Sequence, residues 1–174
     1  ATFGRVAGFG NAAALAGLLH DLGKYTPEFQ ARLNGSSVRV DHSTAGAAVV
    51  RSLTPSGDNK FAGELIAHAI AGHHAGLPDR RGSDAALEER IGNWSGKLDE
   101  IWRSEVQPDV SGLFPTLSLD KEKTAFQIAF LGRVIFSCLV DADYKDTEAF
   151  YNAALGRQSD RAWTDLPRLL PAFI

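Results

Sequence analysis

Six polar side chains stand where the surrounding sequence is apolar: His20, Asp21, His42, His73, His74 and Asp141. Imidazole nitrogens and carboxylate oxygens are donors for divalent metal ions. A core rarely tolerates four histidines and two carboxylates on separate helices without a reason. His20 and Asp21 are neighbours, so both can reach one ion, while the second oxygen of Asp21 can reach another. Six donors exceed what one catalytic ion with open water positions needs, which predicts two ions bridged by Asp21. Two ions about 3.5–4 Å apart suit phosphodiester hydrolysis, because they activate water and stabilise both the attacking and the leaving oxygen. The imidazole-rich set favours a divalent transition metal, Mn, Fe, Co or Ni, over Mg, which prefers oxygen ligands and holds its waters. Taken alone, His20-Asp21 reads equally well as a half-buried histidine beside a carboxylate paired with Lys24; the other histidines tip the balance.

Helices must deliver these groups. Leu15, Leu18, Leu19 and Leu22 recur at i, i+3, i+4 and i+7, the stripe of a helix that ends at His20-Asp21, with Asn11 as its cap. Gly23 then permits a sharp exit, and Lys24 follows as a cation. Tyr25 to Ser37 reads as a loop anchored by Phe29. Asp41-His42-Ser43-Thr44 opens a helix of small residues that Thr54-Pro55-Ser56-Gly57 closes. Asp58 can cap the next helix, whose stripe of Phe61, Leu65, Ile66, Ala69 and Ile70 continues to His73. His73 and His74 lie about 100° apart on a helical wheel, so both face one cluster only near a helix end, which Gly72 and Gly76-Leu77-Pro78 supply. His68, about 140° from His73, points elsewhere.

Residues 83–104 read as an amphipathic helix and 105–119 as a loop. The segment from Ala125 to Val140 is hydrophobic nearly all round and reads as a central helix ending at Asp141-Ala142-Asp143-Tyr144. Asp141 and Asp143 are about 200° apart, so only one can face the site. Register with Phe130 and Val134 places Asp141 on the buried face and leaves Asp143 as a partner for a cation or a helix-end cap. Further helices are expected over 146–156 and 160–170. No alternating strand pattern appears, and the fold class is all-α.

With 174 residues, the chain is expected to form a single domain over 1–174. A net charge of −3 advertises no basic field for nucleic acid, so DNA affinity should be modest and fall with salt. One cysteine excludes an intrachain disulfide, and no uninterrupted apolar run reaches about 18 residues, the length of a membrane span. These features predict a cytoplasmic protein with no membrane contact. The chain starts at Ala1 and lacks methionine, which leaves room for an N-terminal truncation. No Gly-x-x-x-x-Gly-Lys-Ser/Thr loop is present to cradle ATP, so a helicase domain is absent from these residues.

Four blocks in order, His20-Asp21-Leu22-Gly23-Lys24, Asp41-His42-Ser43-Thr44-Ala45-Gly46, Gly72-His73-His74-Ala75-Gly76-Leu77-Pro78-Asp79 and Leu139-Val140-Asp141-Ala142-Asp143-Tyr144, resemble the HD nuclease domain of type I CRISPR interference. The resemblance implies an HD-superfamily helical fold with a metal site between helices. It also implies metal-dependent cleavage of single-stranded DNA, recruitment by the RNA-guided surveillance complex, and a superfamily 2 helicase in cis or in trans. It makes His20, Asp21 and Asp141 ligands of a first metal, and His42, His73 and His74 ligands of a second, with Asp21 shared. It also places Lys24 at the substrate phosphate or the attacking water. The family carries one more histidine on a helix before the HD pair, and no histidine precedes His20 here. Two alternatives stay open: an HD phosphohydrolase acting on nucleotides or cyclic dinucleotides, and a non-catalytic HD module kept for protein contacts.

Overall fold

A computed structural model describes residues 4–5, 8–113 and 119–157. Among the described residues there are seven α-helices, one 3-10 turn and no strand. The helices are α1 (Gly10–Leu19), α2 (Pro27–Leu33), α3 (Ser43–Leu53), α4 (Gly57–Gly72), α5 (Leu87–Asn93), α6 (Trp102–Glu105) and α7 (Thr124–Ala154), with the 3-10 turn at Leu22–Tyr25. The helix expected over 160–170 lies outside the described residues. The chain divides into two compact units, Ala1–Ala142 and Asp143–Ile174.

The core of the first unit is built from α1, α3 and α4. In α4, Ala62, Gly63, Ile66, Ala67, Ala69, Ile70, Ala71 and Gly72 are all buried, which makes it the central helix. That role was expected of 125–140. α7 instead buries one line, Leu131, Gly132, Ile135 and Leu139, and leaves Phe126 72 % and Phe130 59 % exposed. All-round hydrophobicity there does not mean all-round burial. Gly132 sits against Leu65 of α4, where a Cβ would meet the leucine at 3.5 Å. By length and composition α7 is also long and apolar enough to cross a membrane, with a mean hydropathy of 1.6 over its best window. Counting uninterrupted apolar runs misses this, because Arg133 breaks the run without lowering the average much.

Small residues let the helices approach closely. α3 buries Ala45, Gly46, Ala47, Val49 and Val50. A Cβ on Gly46 would collide with the backbone carbonyl of Leu19, at the end of α1. Arg51 ties α3 to α4 and α5, with Nη2 to Glu64 Oε2 at 2.6 Å and Nη1 to Glu88 Oε2 at 3.1 Å.

Several local expectations are revised. The stretch from Tyr25 to Ser37 contains α2, whose start is capped by Thr26 Oγ1 accepting from the Phe29 amide at 3.2 Å. The single helix expected over 83–104 is two short ones, α5 and α6. Trp94-Ser95-Gly96 interrupts it, with Gly96 at φ 74°. α7 runs without a break through Asp141–Tyr144 and through the separate helix expected at 146–156, so Asp143 lies inside a helix and not at its end. In the second unit its last turn closes at Gly156, φ 63°, with the Arg157 amide donating to the Asn152 carbonyl at 2.8 Å. Asn11 does not cap α1, which begins at Gly10; its amide donates to the Ser111 carbonyl at 3.1 Å. Asp58 lies in the first turn of α4 after its cap residue, Ser56.

The close approach of α3 to α1 gives a signed test. Ala in place of Gly normally favours a helix by about 1 kcal/mol. At Gly17, where nothing lies within 4 Å of an added Cβ, Gly17→Ala should stabilise the protein by about 0.5–1 kcal/mol. Gly46→Ala should instead destabilise it by about 1–3 kcal/mol. Urea unfolding measures both, and equal stabilisation would mean the helices are not in contact at Gly46.

Candidate metal centre

Three helix ends meet at one place. α1 stops at Leu19 and hands on His20, α3 starts after His42, and α4 stops at Gly72 and hands on His73 and His74. Asp21 lies between α1 and the 3-10 turn. The Gly23 amide donates to the His42 carbonyl at 3.1 Å, and a Cβ on Gly23 would strike that same carbonyl. Glycine is required here for close backbone contact. This differs from the sharp exit expected of it, because Gly23 is not at positive φ. The contact brings the side chains of Asp21 and His42 together. The turn after His74 closes through Gly76 at φ 93°.

The donor atoms converge. His42 Nε2 lies 2.8 Å from His74 Nε2 and 3.4 Å from Asp21 Oδ1, and His73 Nε2 lies 3.9 Å from the same oxygen. Donors of Asp21, His42, His73 and His74 all fall within 4.8 Å of one another. Two ligands each about 2.1 Å from one ion stand about 3.0–3.4 Å apart, close to the spacing found here. The other carboxylate oxygen, Oδ2, faces His20 Nε2 at 3.2 Å and Lys24 Nζ at 2.5 Å.

Hydrogen bonds fix the imidazoles. His73 Nδ1–H donates to the Ile70 carbonyl at 2.6 Å, and His20 Nδ1–H donates to the Gly17 carbonyl at 2.8 Å. Each helix thus uses its own last-turn carbonyl to orient the ring and turn Nε2 toward Asp21. The side chain of His73 is 0 % exposed, and its Nε2 is buried with no hydrogen-bond partner among the described residues. A buried lone pair aimed at a carboxylate is costly, and a cation between them is what would satisfy both. The residues present therefore fit a divalent ion.

The electrostatics agree. Burial lowers the pKa of His73 to about 4, opposed by the bond to Ile70 and reinforced by the charges of His74 and His20. Burial likewise pushes His42 below its ordinary value, against the pull of Asp21. Burial alone would raise the Asp21 pKa, but hydrogen bonds from His20 and Lys24, together with their charges, hold it well below the usual carboxylate range. Neutral His42 and His73 beside an ionised Asp21 are the protonation states a metal requires.

Among the predicted residues, His20, Asp21, His42, His73, His74 and Lys24 are brought together. His68 stays apart, its Nδ1–H bonded to the Glu64 carbonyl of its own helix at 2.8 Å. Asp141 is a correction: it is exposed on α7 instead of lying on its buried face. The register with Phe130 misled, since Phe130 itself faces outward. The buried line runs through Leu131, Ile135 and Leu139. Sequence reasoning missed the close contact at Gly23, which has no local sequence signal.

The model of the HD domain family matches residues 4–100. This chain belongs to the HD domain family. HD domains bind divalent metals and are commonly metal-dependent phosphohydrolases, a helical fold in keeping with the helices and the cluster described above. No curated protein matches the chain.

Two outcomes are expected of this HD domain. The folded pKa of His73 lies below its unfolded value, so stability is fully present above pH 6.5 and is lost as pH falls from there to about 4. The loss should be on the order of 3 kcal/mol in metal-free protein, read by denaturant unfolding at successive pH values. His73→Asn should flatten most of that slope; an unchanged slope would place the titration elsewhere. Separately, Asp141→Asn should leave metal content at the wild-type level by elemental analysis, whereas a lost equivalent would return Asp141 to the ligand set.

Proposed function

We propose that this HD domain is a metal-dependent nuclease that hydrolyses phosphodiester bonds of single-stranded DNA, the HD nuclease of type I CRISPR interference. The observation that carries the hydrolytic reading is the division of the Asp21 carboxylate, Oδ1 toward His42 and His73 and Oδ2 toward His20 and Lys24. A carboxylate turned two ways suits two ions, one held by His42, His73, His74 and Oδ1, the other by His20 and Oδ2. Bound divalent ions would polarise a phosphoryl oxygen and lower the pKa of a coordinated water. The remaining work falls to the chain itself. The carbonyls of Gly17 and Ile70 hold the rings in register, and half-exposed Lys24 is the cation placed to grip a substrate phosphate.

A cavity of about 320 Å³, lined by Leu18, Asp21, Leu22, Lys24, Tyr25 and Gln30, adjoins Asp21. A flexible strand can feed one nucleotide at a time into such a space, while a rigid duplex cannot bring its phosphate down to a half-buried carboxylate. With a net charge of −3, the chain is expected to bind weakly and without sequence preference. The four sequence blocks support the CRISPR assignment. With it go the proposed partners, an RNA-guided surveillance complex and a superfamily 2 helicase, and a cytoplasmic location.

Chelator-stripped protein reloaded with single metals tests the reading. A labelled single strand should be cut better with Mn, Co or Ni than with Mg, and blunt duplex should be spared. Asp21→Ala should lose both ions and fall to background. His74→Ala should lose about one equivalent and still drop cleavage by orders of magnitude, because an in-line displacement then lacks one of two charge-stabilising ions. His68→Ala should change neither. Hydrolysis of nucleotides or cyclic dinucleotides with no strand cleavage would move the assignment to another kind of HD phosphohydrolase, and failure to take up metal would end the catalytic reading.

A further inference from the structure

The guanidinium of Arg90, on α5, lies between the two backbone segments that carry the histidines. Nη2 donates to Asp41 Oδ2 at 3.0 Å, Asp41 Oδ1 at 3.2 Å and Ser43 Oγ at 2.7 Å. Nε donates to Thr44 Oγ1 at 3.0 Å, and Nη1 donates to the Ala71 carbonyl at 2.7 Å. Asp41, Ser43 and Thr44 flank His42, while Ala71 stands two residues before His73. Asp41 in turn accepts from the backbone amides of Ser43 at 2.9 Å and Thr44 at 3.2 Å, so its carboxylate is locked to the start of α3. One planar group thereby clamps the first turn of α3 to the last turn of α4.

We infer that Arg90 is a positioning residue for the metal centre, setting the gap across which His42 and His74 meet. The inference rests on the metal reading above. The donor count supports it: a guanidinium offers a rigid fork of five N–H groups, and here all three nitrogens are engaged on both segments. A lysine can neutralise Asp41 but, as a single point, cannot hold Thr44 and Ala71 at the same time. Releasing the clamp leaves the Ser43 hydroxyl, 3.4 Å from the Ala71 carbonyl, as a much weaker direct tie between α3 and α4 at this end. The chain also provides its own comparison. Arg51 bonds Glu64 and Glu88, joining the same three helices, α3, α4 and α5, and its side chain is as buried as that of Arg90, 17 % exposed in each case. Arg51 sits in the last turn of α3, away from His42. If Arg90 were only a packing tie, the two arginines would behave alike.

The experiment titrates cobalt(II) into metal-free wild type, Arg90→Gln, Arg90→Lys and Arg51→Gln, following the ligand-field absorption, with thermal melts of each and crystal structures of the metal-free wild type and Arg90→Lys. Both Arg90 variants should bind cobalt about 10–100-fold more weakly than wild type, the size of effect seen when a group supporting a ligand is removed. Arg51→Gln should lose comparable thermal stability and keep wild-type affinity. Metal-free Arg90→Lys should show His42 and His74 moved beyond hydrogen-bond distance. Wild-type affinity in Arg90→Lys, or the same loss of affinity in Arg51→Gln, would overturn the inference. If wild type takes up no cobalt, the metal reading fails, and the His42–His74 separation still decides: 2.8 Å retained in Arg90→Lys overturns the clamp, and a widened gap upholds it.

Discussion

A carboxylate partly withdrawn from water is the constraint on which this structure depends. Asp21 stays ionised because His20 and Lys24 answer one oxygen while His42 and His73 lie opposite the other. Each of these partners comes from a helix end or the turn beside it, so the carboxylate is tolerated only if those ends meet. The packing ensures that they do. Gly46 lets α3 press against the last carbonyl of α1, and Gly23 lets the following turn rest on the backbone of His42. An added methyl group at either glycine acts first on backbone spacing and through it on the side chains several ångströms away.

The same arrangement explains why His42 and His73 are poor bases in the metal-free protein. In His73 the Ile70 carbonyl holds the Nδ1 proton, and burial opposes a second proton on Nε2. What remains is a set of lone pairs directed at an anion. Such an arrangement is unfavourable by itself and becomes favourable with a cation in place, so the fold stores its demand for metal in ring orientation and burial.

Much of this was legible in the sequence, and the exceptions have a common cause. The i, i+3, i+4, i+7 stripe placed His20-Asp21 at the end of α1, and the 100° step placed His73 and His74 at a helix terminus, because both follow from the period of one helix. Asp141 went wrong for the complementary reason. A segment hydrophobic on every side carries no periodic signal to say which line is buried, and the choice of Phe130 and Val134 as reference picked the wrong one. The identity of the central helix failed likewise, since α4, rich in alanine and glycine, is buried by close approach, whereas hydropathy alone points to α7. Arg90 was invisible because its partners lie 19 to 49 residues away, and a clamp between three helices has no local pattern.

The helix ends themselves have a consequence for the order in which ligands arrive. α1 and α4 both direct their C-terminal ends, the negative poles of their peptide dipoles, at the cluster. The positive pole at the start of α3 is met by the Asp41 carboxylate. Lys24 and Arg90 balance the charges of Asp21 and Asp41, so at the imidazoles the two negative poles remain and favour a cation. Positive charge at the imidazoles thus falls to the incoming ion, and a nucleic-acid backbone arriving before it would meet a Lys24 ammonium still held by Asp21.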